Sequence, residues 1–183
     1  MKAMETAIPG VLLLEPKVFG DERGFFVESY NEKTFQAATG QTPHFVQDNH
    51  SRSSRGVLRG LHYQIRQPQG KLVRVTHGAV LDVAVDLRRS SPAFGRWVSV
   101  ELSAENFHQL WVPAGCAHGF LVLSASADMV YKTTDFYLPD AECSLAWDDP
   151  DVGIEWPIEA NTSPVLSAKD KLGCALANAP TFP

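Results

Sequence analysis

Apolar residues recur at every second position through much of this chain. Across 79–88, Ala79, Leu81, Val83, Val85 and Leu87 fall on one face of an extended segment, and Asp82, Asp86 and Arg88 fall on the other. Across 96–102, Val98, Val100 and Leu102 oppose Trp97, Ser99 and Glu101. Alternation with a period of two marks a strand with one face on a core and one in water, so both segments are expected to be half-buried strands. Strand-like runs at 10–14, 25–30, 44–50, 57–64, 71–77, 109–112, 119–123 and 129–137 extend the pattern. Only 31–38 breaks it. There Thr34, Phe35 and Ala38 follow helical spacing behind Asn31, a residue suited to the N-cap, and a short helix is predicted. Glycine and proline stand singly as turn punctuation, and no segment is repetitive or low in complexity. The chain therefore reads as a single unit over 1–183. About ten short strands, without long helices to cross between them, predict an all-β antiparallel sandwich or barrel with a few short helices.

Composition narrows this picture. The 183 residues are 44% hydrophobic and 20% charged, enough for one sizeable core. The net charge of −5 predicts no general attraction to nucleic acid or to an anionic membrane, while leaving room for a local cationic pocket. No run approaches the roughly 18 apolar residues of a membrane span. The opening nine residues, with Lys2 and Glu5, lack the apolar stretch of a signal peptide. Cys116, Cys143 and Cys174 show no C-x-x-C spacing and are expected to be reduced structural thiols, consistent with the cytoplasm.

In a jelly-roll or cupin-type barrel, polar side chains from several strands meet at an open mouth. Chemistry is therefore sought among polar residues in strand-like contexts. "GVLRGLHYQ" at 56–64 sets Arg59 and His62 in an apolar strand, "GKLVR" at 70–74 opens a strand with Lys71, "PAGCAHGF" at 113–120 delivers His118, and "VYKTTDFY" at 130–137 carries Tyr131 and Tyr137. Taken alone, a strand histidine or tyrosine is more often structural; the combination is what matters. "PAGCAHGF" fits the second cupin motif, P-x-G-x-x-H-x-F. The first motif, which supplies an H-x-H pair and a glutamate in metal-binding cupins, reads His62-Tyr63-Gln64 here, with no acidic residue before Lys71. An ammonium in place of a carboxylate opposes a divalent ion, so no metal site is expected. One difficulty is parity. Arg59 and His62 are three apart, so a regular strand sends them to opposite faces unless a bulge at Gly60 turns both inward.

Beyond these motifs, "EPKVFGDERGFFVESYN" at 15–31, "FVQDNHSRSSRGVLRGLHYQ" at 45–64, "QGKLVRV", "LSAENFHQLWVPAGCAHGF", "YKTTDFY" and "LSAKD" occur in one order. In this the sequence resembles the dTDP-4-dehydrorhamnose 3,5-epimerases, from about Ile8 to Asp170. The resemblance implies a jelly-roll homodimer without metal or cofactor, acting on a dTDP-4-keto-6-deoxyhexose. It implies His62 as general base, Tyr131 as general acid, Asp170 as the carboxylate paired with the histidine, and Lys71 near the keto oxygen. It places Arg23, Phe26, Glu28, Gln47, Asp48, Asn49, Arg59, His118, Glu142 and Lys169 at substrate-contact positions, with Tyr137 stacking on the thymine. The segment around Arg23, Phe26 and Glu28 would reach into the partner subunit's site. The tail after Asp170 carries no motif.

These residue types suit that reaction. A carbon beside a ketone can lose its proton because the enolate spreads charge onto oxygen, and a 4-keto sugar has two such carbons, C3 and C5. A base and a group that holds the oxyanion then suffice without a nicotinamide, flavin or metal. No G-x-G-x-x-G precedes a helix, which argues against a bound dinucleotide. Alternatives from the sequence are a 3- or 5-position epimerase of a related dTDP-keto sugar, a non-catalytic sugar-binding cupin, and a metal-dependent cupin.

Overall fold

The structure is a computed structural model and describes residues 1–159 and 162–183. Its strands are β1 (Lys2–Glu5), β2 (Leu12–Glu15), β3 (Val18–Asp21), β4 (Gly24–Val27), β5 (Gln47–Ser54), β6 (Leu58–Gln64), β7 (Lys71–His77), β8 (Ala79–Asp86), β9 (Trp97–Ser103), β10 (Gln109–Val112), β11 (Cys116–Val122), β12 (Ser126–Thr133) and β13 (Glu142–Ser144). One helix, α1 (Glu32–Thr39), follows β4, and short 3-10 turns occupy Pro139–Ala141, Asp170–Leu172 and Leu176–Asn178. A six-stranded sheet runs β1-β2-β10-β7-β12-β5, a five-stranded sheet runs β13-β6-β11-β8-β9, and β3 and β4 form a separate hairpin. All these pairings are antiparallel.

The two large sheets face each other as a jelly-roll sandwich. Val73, Val75, Leu110, Val112, Ala127 and Met129 of the first sheet pack against Val80, Ala84, Leu102, Cys116, Phe120 and Val122 of the second. At one end this core gives way to polar side chains, and there the site lies. The helix is built as its sequence suggests. Asn31 Oδ1 accepts from the N–H groups of Lys33 (3.0 Å) and Thr34 (3.2 Å), and Gly40 ends the helix at φ 71°. Its buried face, centred on Phe35, covers Leu12, Leu14, Leu72 and Trp111 on the outside of the six-stranded sheet.

Two expectations need correction. Strand β8 is not half-buried. Val83, Val85 and Leu87 are covered on the outer face by the C-terminal segment, including Leu176 and Phe182, and the opposite face points into the sandwich with Asp82 and Asp86 at 0% exposure. Alternation showed the parity but could not show that both faces are covered. Strand β5 is displaced, ending at Ser54 rather than His50. Its inward side chains Gln47, Asn49 and Ser51 are polar because they line a cavity, so no hydrophobic signal announced the strand. Strands β1, β3 and β13 are short additions to the expected set.

Candidate active site

The central question for the site is how one strand can turn both Arg59 and His62 inward. Between β6 and β11, His62 pairs with His118 and Arg59 pairs with Phe120. Gly60 and Leu61 of β6 thus oppose Gly119 alone on β11, which is a bulge. Gly60 forms it at φ 125°, where a Cβ would lie 2.6 Å from Gly119 Cα and 2.8 Å from the His118 carbonyl oxygen. Glycine is required at Gly60 by conformation and by space together.

The bulge delivers Arg59 and His62 to a cavity of about 350 Å³ between the sheets. Strand β5 lines it with Gln47 and Asn49, β7 with Lys71, β11 with His118, β12 with Tyr131 and β6 with Gln64. Tyr137, Glu142 and Lys169 complete the rim.

Asp170 sits behind His62, with its Oδ1 2.7 Å from His62 Nε2. The carboxylate also accepts from Gly60 N–H (3.2 Å) and, through Oδ2, from Ser167 Oγ–H (2.6 Å). Ser167 and Asp170 have the S-x-x-D spacing of a capping box, and Asp170 N–H donates back to Ser167 Oγ (3.2 Å). Burial works against the charge on Asp170, but the donors from Ser167, Gly60 and His62 outweigh it and hold its pKa below the ordinary carboxylate value. Burial first, then the positive charges of Lys169 and Lys71, lower the pKa of His62 against the pull of Asp170. An imidazole with Nε2–H on Asp170 keeps Nδ1 free to take a proton.

Lys71 donates from Nζ to the His62 carbonyl oxygen (3.3 Å), and its burial pushes its pKa down to about 8. Burial raises the pKa of Tyr131 above the ordinary phenol value, against the opposing charge of Arg59. Its hydroxyl makes no hydrogen bond among the described residues. At the rim, Tyr137 donates its hydroxyl to Glu142 Oε2 (2.6 Å), and Lys169 pairs with Glu142 Oε1. Gln47 Oε1 accepts from Tyr137 N–H (3.1 Å) and Gln64 Oε1 from Leu138 N–H (2.8 Å), fixing the segment that carries the exposed Tyr137 ring. Arg59 Nε donates to Ser53 Oγ (2.9 Å).

The cavity thus gathers His62, Lys71, Tyr131, Gln47, Asn49, Arg59, His118, Tyr137, Glu142 and Lys169, with Asp170 behind the histidine. Asp48 is not among them. It lies between Gln47 and Asn49, so strand parity turns it to the outer face, where Lys132 Nζ donates to it at 2.9 Å. Arg23 and Phe26 stand on the β3–β4 hairpin, with Arg23 paired to Asp21. Glu28 accepts from Asn31 and Thr34 at the start of α1. None of these three lines the cavity of its own chain. Sequence reasoning missed Ser167, Gln64 and Asp82. Asp82 Oδ1 lies 2.9 Å from His118 Nε2, and its only signal was an acid in an otherwise apolar strand.

A family model described as dTDP-4-dehydrorhamnose 3,5-epimerase matches residues 5–178. The chain belongs to the dTDP-4-dehydrorhamnose 3,5-epimerase family. It is 62% identical over 183 residues to the dTDP-4-dehydrorhamnose 3,5-epimerase of Pseudomonas aeruginosa, covering 100% of both chains. To the Shigella flexneri epimerase it is 56% identical, covering 100% of this chain and 99% of the other. Among solved structures it resembles the Legionella pneumophila dTDP-6-deoxy-D-glucose-3,5-epimerase in complex with dTDP-4-keto-L-rhamnose, with a TM-score of 0.94 and 51% identity over 98% of this chain and 94% of that one. A 3′-monoepimerase of Streptomyces bikiniensis in complex with dTDP-quinovose is also similar, with a TM-score of 0.87 and 38% identity over 97% and 88%.

Proposed function

We propose that this protein epimerises C3 and C5 of dTDP-4-dehydro-6-deoxy-D-glucose, giving dTDP-4-dehydro-L-rhamnose, and does so without a cofactor. One observation carries the reading. His62 projects from β6 of one sheet and Tyr131 from β12 of the other, into one cavity. A sugar ring between the sheets meets a base on one face and an acid on the other.

His62 takes the proton from carbon through Nδ1, while Asp170 holds Nε2–H and stabilises the imidazolium that forms. Charge develops on the 4-keto oxygen and is held by the Lys71 ammonium. Tyr131 then returns a proton from the opposite face, and inversion results. The same four groups serve C5 and C3 because both carbons flank one ketone. Arg59 and Lys169 supply cationic charge for the diphosphate, and the exposed Tyr137 ring offers a stacking surface for thymine.

The same reading makes the protein a homodimer. The β3–β4 hairpin exposes Phe19, Phe25 and Phe26 at 51%, 64% and 68%, an apolar surface that water does not favour. Its docking on a second copy would bring Arg23, Phe26 and Glu28 to the partner's cavity. A sugar-nucleotide substrate and free cysteines are consistent with work in the cytoplasm. No helix among the described residues is long and apolar enough to cross a membrane.

The decisive test is incubation with dTDP-4-keto-6-deoxyglucose in deuterated water. Deuterium at both C3 and C5 with the L-rhamno configuration supports the proposal. Label at one carbon alone reassigns the protein to a single-position epimerase, and none at either sinks the epimerase reading.

A further inference from the structure

The cavity holds a second imidazole–carboxylate pair, unused by the mechanism above. His62 on β6 and His118 on β11 are direct cross-strand partners, so their side chains stand side by side on the same face. Asp82 on β8 pairs with Phe120 and lies diagonally across from His118. Both of its oxygens approach His118 Nε2, at 2.9 and 3.0 Å, and the carboxylate is completely buried. Among the described residues no other side chain hydrogen-bonds to Asp82.

The charges of the cavity make this pair conspicuous. Asp170 is occupied by His62, Ser167 and Gly60, and Glu142 by Lys169 and Tyr137. Lys71 is buried and forms no ion pair among the described residues, donating only to the His62 carbonyl oxygen. A buried ammonium needs a neighbouring anion to stay charged. The groups facing Lys71 are Glu142 from β13, Asp82 from β8, Cys116 from β11, His62 from β6, and Lys169. Of the two carboxylates, Glu142 acts more strongly on Lys71 but is shared with Lys169, and Asp82 adds to it from inside the sandwich.

We propose that Asp82 is a positioning residue for enolate formation, holding His118 by its Nε2 and serving, with Glu142, as a buried counter-charge of Lys71. The proposal rests on the epimerase reading above. Asp82 stands behind His118 and touches no substrate. It keeps the His118 ring turned with Nδ1 toward the cavity, and it keeps Lys71 an ammonium when charge arrives on the keto oxygen. The pKa of Lys71, about 8, is supported from above by Glu142 and then Asp82 against the effect of burial. Removing the charge of Asp82 therefore lowers it further, and the ammonium is lost at a lower pH.

The test is Asp82→Asn, an isosteric change that keeps a hydrogen-bonding group beside His118. Solvent-deuterium incorporation into dTDP-4-keto-6-deoxyglucose is followed across pH, and dTDP binding is measured by calorimetry. Exchange is expected to fall by about 10- to 100-fold, as for carboxylates that orient an active imidazole. The alkaline limb should move to lower pH while dTDP affinity holds. Asp82→Glu, which retains the charge, should keep the limb near its wild-type position. A folded Asp82→Asn with wild-type exchange and an unmoved limb overturns the proposal. If that variant does not fold, His118→Asn, which leaves the buried carboxylate in place, decides. The proposal then requires slower exchange with an unmoved limb, and wild-type exchange overturns it. Wild-type protein that exchanges nothing would instead remove the epimerase reading itself.

Discussion

At the scale of single residues, the proposed base and acid are separable because His62 and Tyr131 stand on different walls. His62→Asn should abolish both hydrogen exchange and epimerisation, while Asp170→Asn, which spares the base and disturbs its tautomer, should slow both without abolishing them. Tyr131→Phe removes only a hydroxyl. His62, Asp170 and Lys71 can still form the enolate, which is then reprotonated on its original face. Exchange at C5 should continue with retention, and net inversion should fall by about 10²- to 10⁴-fold, as read by NMR of recovered substrate. Wild-type inversion by this variant would remove Tyr131 as the acid. The pH dependence follows from the same groups. As the proposed base, His62 must be unprotonated, and its lowered pKa keeps it so to below the ordinary 6.5. Lys71, proposed to hold the charge on the keto oxygen, must be protonated, and its pKa lies at about 8. A pH profile of kcat/KM should show an acid limb below 6.5 and an alkaline limb near 8.

At the scale of elements, the bulge in β6 is the feature on which the site depends. An alanine at Gly60 must accept φ 125° and place its Cβ against the Gly119 backbone. The conformation alone costs about 1–3 kcal/mol. Gly60→Ala should therefore lower the urea midpoint and reduce activity well beyond that loss, because His62 turns away from Asp170. Gly119→Ala, whose Cβ would sit 2.6 Å from the Arg59 carbonyl oxygen, should behave alike. This bulge was legible in the sequence, since Arg59 and His62 could share a cavity only if Gly60 broke the parity. The same rule applied to Gln47, Asp48 and Asn49 shows that the middle residue faces away, as it does. Asp82 was not legible. An acid alternating with valines reads as a solvent face, and only the packing of a distant C-terminal segment over the other face reveals that it points inward. The polar strand β5 was illegible for a related reason, since cavity walls do not follow the hydrophobic code.

At the scale of the whole molecule, the segment after Asp170 gains a role that its sequence does not show. Tyr63 donates its hydroxyl to the Pro180 carbonyl (2.8 Å), and Phe182 pairs its backbone with Leu87. Tyr63→Phe should cost about 1 kcal/mol by loss of this bond, measured by thermal unfolding with activity unchanged per folded molecule. The exposed hairpin makes a prediction of the assembly. Sedimentation should find a dimer, and Arg23→Ala should raise KM more than it lowers kcat. A fully active monomer would refute both.

The placement of His62 and Tyr131 on facing sheets has a further consequence. Packed sheets stand about 10 Å apart, a spacing set by the side chains between them. Here Met129 and Phe120 belong to the core that fills that space and also line the cavity. The core therefore acts as a caliper, and its thickness decides whether one ring is within reach of both jaws. Altering that thickness by a methylene should show first in stereochemistry, as products recovered with the wrong hand, before it shows in whether the protein folds.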